Sequence, residues 1–199
     1  DWGTEKTAPG TRARVAILSD YGYGAVEPAL LPAVRAALGP EATLVGDSRY
    51  RLGEFAGLDG ATPNEEEAEA LLGETIEDDP DRLAAGGRRL LDRLAARFLL
   101  ITRGSRGMSL FTSGGGAAHL PVHGTDQVAD VTGAGDTVIG TFALGLAAGA
   151  TPLEAALLAN YAGGVVVMKM GTATLSPEEL RQAVQSDPHL IKELQWARS

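Results

Sequence analysis

Short apolar runs alternate along this chain with longer stretches of helical period, and the alternation predicts a mostly parallel sheet crossed by helices. Residues 14–19 read as a buried strand, 27–38 as a helix and 42–46 as the next strand. Helical spacing returns over 82–96, and 98–102 forms a third apolar run. Residues 107–112 and 117–121 look like an antiparallel pair at one sheet edge, joined through Ser113-Gly114-Gly115-Gly116. Two Ala- and Gly-rich helices follow, over 135–146 and, after the Thr151-Pro152 start signal, over 153–168. Ser176 is an N-cap for 177–185, with Glu178 and Glu179 in the first turn. Residues 188–196 read as a short amphipathic helix or a loose tail.

The 199 residues, 44% of them hydrophobic, suffice for one well-buried α/β domain over 1–199 and would be cramped as two. With no cysteine, a disulfide framework, a zinc–cysteine site and thiol catalysis are excluded. The net charge of −9 argues against nucleic acid or an anionic membrane as the main partner, since both need a basic surface. No basic segment followed by an apolar run opens the chain, and the longest apolar stretch, 138–150, falls short of the ~20 residues of a membrane span. A cytoplasmic protein that acts on small molecules is the expectation.

The most informative segment is Asp130-Val131-Thr132-Gly133-Ala134-Gly135-Asp136-Thr137, a glycine-broken turn ahead of a long apolar helix. The backbone N–H groups of Gly133, Ala134 and Gly135 would lie at that helix's positive end, where a transferring phosphate can be held. Asp136 would then reach a substrate hydroxyl as a base must. An ordinary helix start with a first-turn carboxylate explains the same spacing equally well. Neither a G-x-x-x-x-G-K-[ST] loop nor a G-x-G-x-x-G after the first strand is present. Asn64 and Glu67 share one side of a first helical turn, a spacing that also makes a capping box. Thr102, Arg103, Gly104 and Gly107 span a strand-to-turn transition where a cation is not needed for the turn itself. Asp20 and Asp47 close two strands. His119, His123 and His189 are scattered without metal-ligand spacing, and no nucleophile elbow occurs.

The segment 130–137 resembles the D-T-x-G-A-G-D signature of ribokinase-like (PfkB-type) sugar kinases, with Val131 a small departure. Three further segments agree in the right order. Ser19-Asp20-Tyr21-Gly22-Tyr23-Gly24 resembles the S-D-Y-x-K-G strand end of the heptose-phosphate kinases, with Tyr23 in place of Lys. Thr62-Pro63-Asn64-Glu65-Glu66-Glu67 matches P-N-x-x-E, and Thr102-Arg103-Gly104-Ser105-Arg106-Gly107-Met108 matches T-x-G-x-x-G-M.

The resemblance runs from about residue 15 to 179 and implies a three-layer αβα fold. The family's amino-terminal portion, with its G-G substrate motif and β-lid, is expected to be missing. It implies in-line transfer from ATP to a hydroxyl of a sugar or sugar phosphate, with Asp136 as base and the amides of 133–135 as anion hole. It further implies Mg²⁺ and nucleotide phosphates at Asn64 and Glu67, and ATP passing over Thr102, Arg103, Gly104 and Gly107. Asn160 would lie near the adenine, Asp20 and Asp47 near sugar or nucleotide. A monovalent cation such as K⁺ would sit at Asp130, Thr132 and the carbonyls of 169–171. The family's lid often forms a homodimer contact in the longer protein, and a heptose-phosphate kinase can be half of a bifunctional protein, although this chain carries no nucleotidyltransferase motif. A nucleotide-binding module without turnover, or a vitamin-precursor kinase of the same superfamily, remain alternatives.

Overall fold

The computed structural model describes residues 13–124, 130–187 and 195–198. Seven strands form one sheet in chain order: β1 (Val15–Asp20), β2 (Thr43–Ser48), β3 (Gly60–Ala61), β4 (Phe98–Thr102), β5 (Met108–Thr112), β6 (Gly116–Leu120) and β7 (Gln195–Arg198). Pairings from β1 to β4 are parallel, and those from β4 to β7 are antiparallel. The helices are α1 (Leu31–Leu38), α2 (Glu65–Leu72), α3 (Pro80–Leu94), α4 (Ala134–Ala147), α5 (Pro152–Val167) and α6 (Pro177–Ser186).

Strand β4 shows why there are three layers. Its side chains alternate by period two, so Leu99 and Ile101 enter one core while Phe98 and Leu100 enter the other. The first core packs Leu31 of α1, Ala68 of α2 and Leu83, Leu90 and Leu94 of α3. The second packs Val138, Ile139 and Phe142 of α4 with Ala155, Ala156 and Ala159 of α5. Phe142 meets Phe98 edge-on, with ring centroids 5.4 Å apart. Alanine and glycine on α4 and α5 allow the close approach expected for their faces; a side chain at Gly145 would meet Ala155 at 3.0 Å.

The expected elements are present with shifted ends. Residues 27–30 do not join the α1 helix, because Pro28–Leu30 form a 3₁₀ turn before Leu31. Strand β3, two residues long, carries too little pattern to be read from sequence, yet it bridges β2 to β4. The hairpin of β5 and β6 is antiparallel as expected, but β6 is not an edge. Gln195 and Trp196, assigned above to a helix or tail, belong to β7, which pairs with β6; cross-strand hydrogen bonding, which has no local signature, decides this. The rest of that assignment, 188–194 with His189, lies outside the described residues. Among the described residues no helix is long and apolar enough to cross a membrane.

Candidate active site

The carboxyl ends of β1, β2 and β4 and the start of α4 converge on one cleft of about 650 Å³. Strand β1 ends in Asp20, whose side chain is almost wholly buried. Its Oδ1 accepts from the Gly22 N–H at 2.9 Å and from Arg51 Nη2 at 3.2 Å. Its Oδ2 accepts from Ser48 Oγ at 2.8 Å and Arg51 Nε at 3.3 Å. Burial pushes this carboxyl up, but Arg51, Gly22 and Ser48 together outweigh it and hold Asp20 below the usual carboxylate range. Asp20 borders the cleft as its strand-end position suggests, with both oxygens engaged by the protein.

Tyr21 extends from this anchored turn, and its hydroxyl donates to Asp136 Oδ1 at 2.6 Å, joining positions 115 apart in sequence. The hydrogen bond to Asp136, with burial and the Asp136 and Asp47 charges, pushes the phenol up to about 12, so it keeps its proton at neutral pH. Nothing in the spacing of the sequence announced this contact; the only signal was Tyr21's place within the Ser19-Asp20-Tyr21 strand end.

Asp136 lies in the first turn of α4, and Gly133 is the helix N-cap with φ +79°, a left-handed conformation that favours glycine. The Ala134 N–H donates to the Val131 carbonyl at 3.1 Å, and the Thr137 N–H and Oγ1 both donate to the Gly133 carbonyl. Of the three amides proposed for an anion, that of Ala134 is therefore engaged in the turn. Gly133 and Gly135 line the cleft beside Asp136.

Asp47 and Glu67 face the same cleft. Burial, then the charges of Glu67 and Asp136, push the Asp47 carboxyl up to about 7. Burial also raises Glu67, against the opposing Asn64 amide and Arg49. The capping box is real: Glu67 N–H donates to Asn64 Oδ1 at 2.8 Å, and Asn64 N–H donates to Glu67 Oε2 at 2.9 Å. The cap also leaves the Glu67 side chain at the cleft wall. No group of three or more potential ligands among the described residues could hold a metal by itself. Mutually repelling carboxylates, Asp47 and Glu67, do fit a cation that completes its shell with phosphate oxygens and water.

A second cavity of about 370 Å³ adjoins the first and shares Asn64, Thr102, Val131, Gly135 and Val138 with it. Gly104, Gly107, Asn160, Gly163 and Gly164 line its other walls. Asn64 forms a parallel bridge to Thr102, which sets the N-cap of α2 beside the end of β4. Asn160 is buried and donates through Nδ2 to the Pro121 carbonyl at 2.6 Å, so it holds the loop after β6 while bordering the cavity. Arg103 does not join Thr102 and Gly104 there. Its Nε donates to Glu65 Oε2 at 3.0 Å and its Nη2 to the Glu77 carbonyl at 3.0 Å, on the other side of the sheet end. That pairing, like the second pairing of Glu65 with Arg106 at 2.8 Å, links residues about 40 positions apart and was not visible in the sequence.

Asp130 lies beside the 169–171 segment and meets it through the Gly171 N–H. Asp130 Oδ1 accepts from the Thr132 N–H at 2.9 Å, and Oδ2 from the Gly171 N–H at 3.1 Å. The Asp130 N–H donates to the Val167 carbonyl at 3.1 Å.

Residues 51–179 match the pattern of the pfkB family carbohydrate kinases. Over 176 residues the chain is 46% identical to the bifunctional protein HldE of Azotobacter vinelandii, covering 87% of this chain and 36% of that protein. Over 172 residues it is 44% identical to the bifunctional protein HldE of Methylococcus capsulatus, covering 85% and 35% respectively. The chain therefore spans about a third of the length of these curated relatives. In fold it is similar to Arabidopsis thaliana ribokinase complexed with ribose and ATP, with a TM-score of 0.75 and 22% identity over 87% of this chain and 56% of that one. Phosphofructokinase-2 from Escherichia coli in complex with potassium also gives a TM-score of 0.75, at 19% identity over 88% and 58%.

Proposed function

The chain belongs to the pfkB family of carbohydrate kinases, and we propose that it carries the nucleotide site and the catalytic base for phosphoryl transfer from ATP to a sugar hydroxyl. The observation that carries this reading is the position of Asp136. It lies in the first turn of α4, on the cleft formed by the ends of β1, β2 and β4, with the glycine-lined second cavity alongside.

In this reading the acceptor hydroxyl gives its proton to Asp136 while its oxygen attacks the γ-phosphorus. The bond from that phosphorus to the bridging oxygen breaks, and ADP leaves with the electron pair. The amides of Gly133 and Gly135 and the positive end of α4 stabilise charge on the transferring group. Asn64, Thr102, Gly104 and Gly107 border the nucleotide, and Asn160 supports the wall beside its base. Glu67, with Asp47 nearby, is the residue that would hold Mg²⁺, which would neutralise phosphate charge. Asp130, Thr132 and the 169–171 carbonyls would hold a monovalent cation. Arg103 holds Glu65 in the first turn of α2, one residue after Asn64.

The acceptor class we infer is a phosphorylated heptose-type sugar. The Ser19-Asp20-Tyr21 strand end and the likeness to bifunctional HldE proteins support it. ATP supply and such an acceptor would put the protein in the cytoplasm, and the family resemblance supports pairing as a homodimer.

Calorimetric titration with MgATP, followed by turnover on a panel of sugars and sugar phosphates, tests the proposal. Saturable binding and an Asp136→Asn variant that still binds MgATP but turns over roughly 10²–10⁴-fold more slowly are expected. An Asp136→Asn variant with the parent rate would sink the assignment of the base.

A further inference from the structure

Asp136 as a base has a geometric difficulty. It shares its cleft with Asp47 and Glu67, and the Asp47 carboxyl feels both of their charges. Repulsion of this kind drives a carboxylate on a helix's first turn towards solvent and away from its neighbours. An arginine or lysine could hold it, but a cation paired to the carboxylate would compete with the proton that a base has to accept. A neutral donor on one oxygen fixes the carboxylate and leaves the other oxygen free.

Tyr21 supplies that neutral donor. Its hydroxyl lies 2.6 Å from Asp136 Oδ1, and it retains its proton at neutral pH. The ring itself is about half exposed, so packing alone does not hold it. Its root is what is fixed. Asp20 binds the Gly22 N–H, Ser48 Oγ and two nitrogens of Arg51, and Arg51 is steadied by Glu27 at 3.0 Å and the Val26 carbonyl at 3.1 Å. Gly22 follows with φ +78°, and a Cβ there would meet the Tyr50 ring at 3.1 Å. A buried carboxylate with both oxygens engaged one residue before Tyr21 fixes the direction in which that turn leaves the strand.

We propose that Tyr21 is a positioning residue: its hydroxyl holds Asp136 Oδ1 so that Oδ2 meets the acceptor hydroxyl, and the Asp20–Ser48–Arg51 network aims it. The proposal rests on the reading of Asp136 as base, and it gives Asp20 a scaffolding role in place of substrate contact. The acceptor proton goes to Oδ2, and the Tyr21 proton stays on its own oxygen throughout.

Tyr21→Phe removes only the hydroxyl. The expected result is a kcat lower by about 10- to 100-fold, the loss that misplacement of a reacting group brings. KM for ATP should stay within about twofold, with an unchanged melting temperature. In an Asp136→Asn background the same change should have no further effect, because the group being positioned is gone. An unchanged kcat with a raised acceptor KM would make Tyr21 a substrate contact, and an unchanged kcat with a lowered acceptor KM would make it a placeholder; either overturns the proposal. Tyrosine ¹³Cζ titration gives a readout independent of turnover: the Tyr21 signal should move in Asp136→Asn from about 12 towards the ordinary range, and an unmoved signal also overturns it. Failure of the base reading is recognised separately, as Asp136→Asn turning over at the parent rate.

Discussion

Arg103 Nε donates to Glu65 Oε2 at 3.0 Å while both side chains are nearly out of water, 8% and 11% exposed. Arg106 Nη2 reaches the same oxygen, and Arg106 also pairs with Asp78. The first turn of α2, the segment before α3 and the turn between β4 and β5 are thereby tied at one point. Removing one partner of a buried pair leaves the other charge desolvated, which costs about 3–5 kcal/mol. Arg103→Ala leaves Glu65 still paired with Arg106, so it should lower unfolding free energy by less, about 1.5–3 kcal/mol in a denaturant titration, whereas Arg181→Ala, which breaks the exposed pair with Glu178, should leave it unchanged. Equal effects of the two would mean that the Arg103 pair is solvated.

Gly107 closes the turn after Arg103 with φ +74°, and a Cβ there would sit 2.0 Å from the Leu120 carbonyl oxygen. Backbone cannot move aside as a flexible side chain can, so both the conformation and the space require glycine. Gly107→Ala should destabilise by about 2–4 kcal/mol. Gly104→Ala, with φ +57° but no atom within 4 Å of its Cβ, should cost about 1 kcal/mol. Thermal unfolding of the two variants side by side checks the order.

Much of the scaffold was legible because its signals are local. The capping residues Asn64, Thr151 and Ser176 each form the box their spacing suggested or allowed, and the apolar runs of β1, β2 and β4 form the parallel strands. Asp136, Asp47, Glu67 and Thr102 reach one cleft because strand ends and helix starts of an α/β sheet share one rim. What could not be read depends on distant partners. Arg103 looked like a phosphate ligand because a turn needs no cation, yet its partner Glu65 lies 38 positions earlier. Tyr21 and Asp136 meet across 115 positions. Strands β3 and β7 are defined by neighbours, not by their own two or four residues.

Glu67 has two roles that substitution can separate. Glu67→Gln keeps a side-chain oxygen for the Asn64 N–H but removes the charge that faces the cleft. Its stability should stay within about 0.5 kcal/mol of the parent, while MgATP affinity falls by about tenfold, the loss of a charge-assisted contact. Glu67→Ala should show the same affinity loss and a further destabilisation of about 1 kcal/mol from the broken cap. Calorimetry and thermal unfolding on the two variants would distinguish these effects, and an unchanged affinity in Glu67→Gln would remove the residue from the metal–nucleotide site.

Asp47 gives the protein a pH dependence of defined sign. In the unfolded chain its carboxyl titrates near 3.8, whereas in the fold burial and the Glu67 and Asp136 charges push it up to about 7. Between those values the folded chain carries a proton that the unfolded chain has released, so this group's contribution makes the protein less stable as pH rises from about 4 to 7. The penalty is absent below that window and complete above it. Asp47→Asn, which cannot ionise, should match the parent near pH 4 and exceed its stability at pH 8 by on the order of 2 kcal/mol, allowing for solvent at the cleft mouth. Urea unfolding of both proteins at the two pH values measures the difference. A gap of the same size at both would mean that Asp47 ionises like an exposed aspartate, and that the repulsion from Glu67 and Asp136 is relieved before it reaches the carboxyl.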